Sequence, residues 1–281
     1  DNNQRVRFSV SPKGIESMIT HADKLHTTFM QKSGKQGYDY VVYTRDSKAL
    51  VDSDFICLTK AELEKGSSGI TMKPIGDKIL RKYRIAVSTT GEYTQYHGGT
   101  VASALAAINA TITRVNEVFE TDLGITLEVI AEEDSIIFTN SATDPYNGNL
   151  NNQVQNTLTT TLGEGKYDVG HLFHKDVDNG NAGFVGSVCV DNKKGSAYSS
   201  SMVPEGDIFD LEFAAHELGH QFGANHTWSY QSEGTQAQVE PGSGTTIMGY
   251  AGISGENNVA PHGDDYFHYY SIFQISQYVL N

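Results

Sequence analysis

Cysteine is almost missing from this chain, with only Cys57 and Cys189 among 281 residues. A disulfide-built scaffold is therefore excluded, while two cysteines neither require nor forbid an oxidising compartment. Long apolar runs are missing too. No window approaches the ~18 apolar residues of a membrane span, so no membrane partner is expected. The opening residues, DNNQRVRFSV, lack a charged stretch followed by an apolar core, so no signal peptide is expected within them, although a trimmed form would have lost one. Basic residues are few against acidic ones, 20 Lys and Arg to 34 Asp and Glu, for a net charge of −14. Such a surface repels phosphate backbones and anionic lipid, which argues against nucleic acid as a partner. The excess carboxylates serve solubility, and the acidic loops around Asp144, Asp176 and Asp178 could also hold calcium, although no ordered calcium-loop pattern is present. Internal repeats and low-complexity tracts are absent.

What is present suffices for a core: 38% hydrophobic and 10% aromatic residues. The length suits one large domain with a smaller appendage. Residues 1–65 read as a small α/β-like segment, in which "RVRFSVS" alternates as a strand does and "GYDYVVYT" offers a second. Residues 64–78, "EKGSSGITMKPIGDK", have the composition of an exposed linker, and the basic "KILRKYR" that follows is a place for a trypsin-like protease to cut. The boundary falls near residue 80, dividing the chain into 1–80 and 81–281.

Beyond that boundary, strands are expected at 83–89, 125–131, 167–174 and 183–190. A long helix is expected at 101–124, closed by Gly124. Strand, long helix, strand implies an α/β (α+β) architecture, a mixed sheet with a helix packed on one face. A second helix should begin after Pro204, near Asp207, and run through "IFDLEFAAHELGHQF" to a stop at Gly223. Residues 229–265 read mainly as loop, and 269–280 as a terminal helix.

The chemistry concentrates in "AAHELGHQFGANH", residues 214–226. On a helix, His216 and His220 lie one turn apart on one face, close enough to grip one ion. Glu217, displaced around the helix, can reach a metal-bound water without ligating. Gly223 lets the chain leave the helix with backbone angles that glycine tolerates, after which His226 can swing back as a third nitrogen. Three neutral imidazoles and an open position describe a catalytic zinc site rather than a closed structural one. H-E-x-x-H alone is a common accident, but the full H-E-x-x-H-x-x-G-x-x-H is expected by chance in roughly one chain of this composition in ten thousand. Glu240, twenty residues past His220, is a rival third ligand, but its "VEPGSG" context cannot be helical, so it reads as a loop carboxylate near the site. His97, His171 and His174 read as structural.

Residues 216–226 together with "TTIMGYAG" (245–252) resemble the metzincin zinc peptidases. The wider run of "YRIAVSTTGEYTQYHGG", "HTWS", "EPGSGTTIMGYAG" and "DDYFHYYSIFQI" is similar to the bacterial reprolysin-like metallopeptidases, relatives of the adamalysins, over roughly residues 80–281. The resemblance implies a zincin/metzincin-like fold, with a mostly parallel twisted sheet, a backing helix and an active-site helix. It implies a secreted, monomeric zinc endopeptidase acting on protein or peptide substrates, with His216, His220 and His226 as metal ligands. Glu217 would be general base and then general acid toward a zinc-bound water, and Met248 the methionine of the turn beneath the metal. Tyr250, two past that methionine, stands where astacins and serralysins place a tyrosine near the metal; its phenol contacts zinc or the tetrahedral intermediate, or merely packs. Gly249 and Tyr250 replace the proline-containing turn usual in adamalysins, and the disulfides usual there are absent.

Substrate in such enzymes lies along an edge strand, here expected at Gly183, Phe184, Val185 and Gly186. The loop from Met248 through His262 to His268 would wall the primed-side pocket. The resemblance further implies that residues 1–80 are the C-terminal part of a pro-segment joined by a basic linker around Arg81 and Lys82. Cys57 then has three readings: a thiolate that occupies the metal's fourth position and keeps a zymogen latent, a disulfide partner of Cys189, or an inert thiol. A non-catalytic metal-dependent binding module on the same scaffold is the alternative function, although it would have no use for Glu217. A zinc hydrolase acting on non-peptide bonds is a minor third.

Overall fold

The computed structural model describes residues 4–22, 27–34, 37–44, 55–63 and 77–280. The linker expected over 64–78 lies outside the described residues except for Asp77 and Lys78. The N-terminal residues form β1 (Arg5–Ser11), β2 (Gly14–Thr20), β3 (Thr27–Lys32) and β4 (Tyr40–Thr44), an antiparallel sheet in the order β1-β2-β3-β4. The α/β expectation for this segment is thus corrected: among its described residues the regular elements are all strands, because such short alternating runs leave no room for a helical period.

A second sheet contains β5 (Ile56–Cys57), β6 (Arg81–Thr89), β7 (Ile125–Val129), β8 (Val169–His174), β9 (Asn179–Asn181) and β10 (Ala197–Ser200). Its order is β5-β9-β10-β8-β6-β7, and every neighbouring pair is parallel except β9 with β10. The mixed, mostly parallel sheet follows the sequence expectation. The strand expected at 183–190 does not form. Gly183 and Gly186 have φ of 75° and 70°, which turn the chain instead of extending it. The strands next to β5 at that end of the sheet are β9 and β10, whose sequences NGN and AYSS are too short to carry a period. The basic cluster also sits differently from expectation. Arg81 and Lys82 open β6 and pair with Ile125 and Thr126, so a protease would have to strip a strand to cut there.

Helix α1 spans Gly91–Tyr96, and α2, Val101–Val118, backs the sheet. A capping box of Thr100 and Ser103 starts α2, and a π-helical turn at Phe119–Leu123 carries it to Gly124, which is left-handed with φ 61°. Helix α3, Leu150–Thr161, covers the other face; its sequence LNNQVQNTLTTT has too few apolar positions to announce itself. A π-helical stretch, Ile208–Ala214, leads into α4, Ala215–Gln221, and α5 is Tyr269–Leu280.

The main core lies between the sheet, α2 and α4, and it includes Met18 and Phe29 from the N-terminal sheet. Each such buried side chain contributes about 2 kcal/mol. Strand β1 reverses the usual alternation: Val6, Phe8 and Val10 face outward, while Arg5 and Arg7 pair with Glu117 and Glu120 of α2 and its π turn. Beside them Arg114, itself buried, bonds Asp210 at 2.7 Å and meets Glu16 at 3.5 Å. Tyr43 donates to Asp207 at 2.7 Å. The N-terminal strands therefore share one core and one charge network with the helices that carry the site.

Candidate metal centre

Helix α4 sets His216 and His220 one turn apart, with ring centroids 4.8 Å from each other. At Gly223, φ is 105°, which only glycine adopts without strain, and the chain doubles back there. His226 arrives with its ring 4.6 Å from His220 and 5.3 Å from His216. Each ring uses Nδ1 outward. His216 donates to Ile247 O and His220 to Ala224 O, both at 2.7 Å, and His226 Nδ1 meets the Glu233 carboxylate at 2.9 Å.

Carbonyl oxygens only accept, so Nδ1 of His216 and of His220 carries the proton and each Nε2 presents a lone pair. Those nitrogens point at one another. His220 Nε2 and His226 Nε2 are 3.1 Å apart, and His216 Nε2 is buried with no hydrogen-bond partner. Burial, with His226 nearby, lowers the His216 pKa to about 3, and burial holds His220 well below its ordinary value, so these rings are neutral and ligand-competent. Converging buried lone pairs repel unless a cation lies among them. The donor set therefore fits a divalent metal, and its outward hydrogen bonds to two carbonyls and a carboxylate fix the rings as metal sites require.

Cys57 completes the group. Its sulfur is 3.6 Å from His220 Nε2, and the four ligand atoms of Cys57, His216, His220 and His226 lie within 4.8 Å of one another. Both cysteines are free, which removes the disulfide reading. Among the described residues this is the one group able to hold a metal. Asp144 instead caps the Gly91 and Tyr146 amides, and Asp178 accepts from the Met202 amide, so two of the three aspartates named for calcium bond backbone amides.

Glu217 is fully buried beside the histidines. Burial raises its pKa to about 8, opposed by a hydrogen bond from Thr59. A Cβ on Gly180 would meet Glu217 Oε1 at 2.3 Å, so β9 approaches the carboxylate as closely as backbone can. Tyr250 brings its hydroxyl to 3.0 Å from His226 Nε2. Met248 is buried under α4, where a Cβ on Gly219 would touch its sulfur at 2.6 Å, and its carbonyl accepts the Thr227 amide. Glu240 lies outside the histidine group. Its carboxylate holds the amides of Thr245 and Thr246 and the Thr246 hydroxyl, shaping the turn that delivers Met248.

The loop Gly183–Gly186, expected as the substrate edge, instead follows β9 and packs on the end of α4, where the Gly186 amide donates to His220 O at 2.9 Å. Beside the histidines runs β9, held between β10 and β5; β5 is the only strand that covers its outer side among the described residues. From the anticipated primed-side loop, Gly263 and Asp264 line a pocket with Phe213, His216, Tyr250 and Phe55. His97, His171 and His174 are structural as expected: His171 bridges Gln221 and Ser199, His97 meets Pro204 O, and His174 meets Thr90.

Four residues of the site went unread in the sequence. Phe55 stacks on Phe213 at 4.0 Å and meets His216 edge-on. Thr59 donates to Glu217 Oε2 at 2.9 Å and accepts the Ala182 amide at 2.7 Å. Glu62 donates its amide to Asn225 at 3.0 Å, and Glu233 orients His226. Nothing in local spacing marks them, apart from the closeness of Phe55 and Thr59 to Cys57.

The family model for M12B reprolysin-like metallopeptidases matches residues 80–279. A comparison with curated proteins gave no match.

Proposed function

The chain belongs to the reprolysin-like M12B metallopeptidase family, and from that premise we propose that it is a secreted zinc endopeptidase of metzincin type captured with its own inhibitory segment, residues 1–80, whose residues 55–63 lie in the cleft. One observation carries this reading: Cys57 joins three converging histidines in a group of metal-ligand geometry. Secretion rests on the family alone; among the described residues no helix is long and apolar enough to cross a membrane.

His216, His220 and His226 would hold the zinc. Zinc bound there would acidify a coordinated water and polarise a peptide carbonyl. Glu217 takes the proton of the attacking water and delivers it to the departing amine; its burial suits a base working near neutral pH. Tyr250, whose hydroxyl lies 3.0 Å from His226 Nε2, would donate to the oxygen that gains charge as the carbonyl is attacked. Met248 gives the histidines an apolar floor. Strand β9 offers main-chain groups to an extended substrate. In the latent chain β5 takes that place, with the Leu58 amide donating to Gly180 O at 2.8 Å. Cys57 then stands at the metal and Thr59 on the base.

Zinc analysis of the full chain, with peptide cleavage measured before and after proteolysis of the linker and with and without a chelator, tests this. We expect one zinc per chain, activity only after cutting, and its loss on chelation. Cys57→Ser should be active uncut. Glu217→Gln should keep its zinc and lose at least ~100-fold in turnover. A chain without zinc, or an active Glu217→Gln, overturns the reading.

A further inference from the structure

Strand β9 has two unlike faces. At Gly180 the missing Cβ points to Glu217, so Asn179 and Asn181 point to the opposite side of the sheet. There, register places Ser200 of β10 between Asn179 of β9 and His174 of β8. These residues floor a cavity of about 320 Å³ with Asp176 at its edge and Leu58 at its mouth. Asn179 Oδ1 and Ser200 Oγ are buried in it with no hydrogen-bond partner. Asp176 keeps its carboxylate largely in solvent, 4.0 Å from His174 Nε2. The neighbouring Lys175 does not answer these acceptors, because its ammonium lies over the Tyr96 ring at 5.7 Å.

We propose that this cavity is a specificity subsite for a lysine or arginine side chain of the substrate, one that projects from the bound strand away from the metal. The proposal rests on the peptidase reading of β9 as the substrate edge. The chemistry is that of an acceptor-rich pocket: a carboxylate, an amide oxygen and a hydroxyl. An ammonium or guanidinium brings several N–H donors and a charge opposite to Asp176. Leucine at position 58 brings neither, so the chain's own strand covers the pocket without satisfying it. The net charge of −14 adds a long-range pull on a basic peptide.

The chain's own strand provides the test. Leu58→Lys and Leu58→Met, of similar length, are made in the zinc-loaded full chain, and hydrogen exchange of amides 56–59 is measured, corrected for intrinsic rates. Lysine should slow exchange roughly fivefold relative to methionine. That difference should vanish when Asp176→Asn and Asn179→Leu are added together. Equal exchange in the two variants, or slowing that survives the added changes, overturns the proposal. With the linker cut, peptides differing only in Lys, Leu or Glu at the positions flanking the scissile bond should be cut fastest with Lys at one of them. If no peptide is cut the peptidase reading fails, while the exchange rates still decide what the pocket binds.

Discussion

The hydroxyl of Thr59 bridges the buried carboxylate of Glu217 and the Ala182 amide, at 2.9 Å and 2.7 Å. It thereby ties the strand in the cleft to the one acidic side chain of the histidine motif. Thr59→Val keeps the shape and removes both partners of a buried carboxylate and a buried amide. A loss of about 1–3 kcal/mol is expected for leaving such groups unanswered. Denaturant melts of the full chain, together with faster reaction of Cys57 with a thiol reagent, would show it. An unchanged thiol rate would mean that this bond does not hold the strand.

Glu233 accepts from His226 Nδ1 and so fixes which nitrogen faces the other two rings. Glu233→Gln can still accept through its amide oxygen but loses the charge. Zinc affinity, measured by competition with a chromogenic chelator, should fall about 10- to 100-fold. The fold should persist, because Glu233 lies outside the core.

Arg114 and Asp210 form a pair that is 2% exposed on both sides, and Thr111 adds a second bond to the carboxylate at 2.6 Å. Asp210 belongs to the turn that launches α4, so the pair joins α2 to the metal helix. Arg114→Met strands a buried carboxylate and should cost about 3–5 kcal/mol. Changing both residues to apolar ones should cost much less, and a double-mutant cycle in urea would measure the difference.

His171 titrates at about 4 in the fold because burial disfavours its charged form, against about 6.5 in an unfolded chain. As pH falls below 6.5 the unfolded state takes up a proton that the folded state refuses. Stability therefore declines down to about pH 4 and levels off below it. Between pH 7 and 5 this residue accounts for about 2 kcal/mol of the loss. In His171→Gln the acid-induced loss should be smaller by that amount, read as the difference between urea midpoints at the two pH values. An identical pH slope in the variant would assign the effect elsewhere.

The three-histidine cluster was legible because its geometry is local. Two histidines one helical turn apart and a third after a glycine reversal need only the helix and that turn. The long backing helix was legible from its apolar period, and Glu240 was rightly set aside because its loop cannot project it as a helix would. The edge of the sheet was misplaced at residues 183–186, where apolar composition suggested a strand but positive φ angles turn the chain. The three-residue β9 announces itself only through the partners on either side of it.

The sequence alone determined the three-histidine donor set, the glutamate beside it and a mixed sheet backed by a helix, since each follows from short-range spacing and hydrophobic period. Only the tertiary structure decided what stands against that set. Thr59 reaches Glu217 across 158 residues of chain, and Cys57 reaches His220 across 163. Contacts at such separation are selected by how whole sheets and helices close over a shared core, and no local pattern of residues encodes that closure.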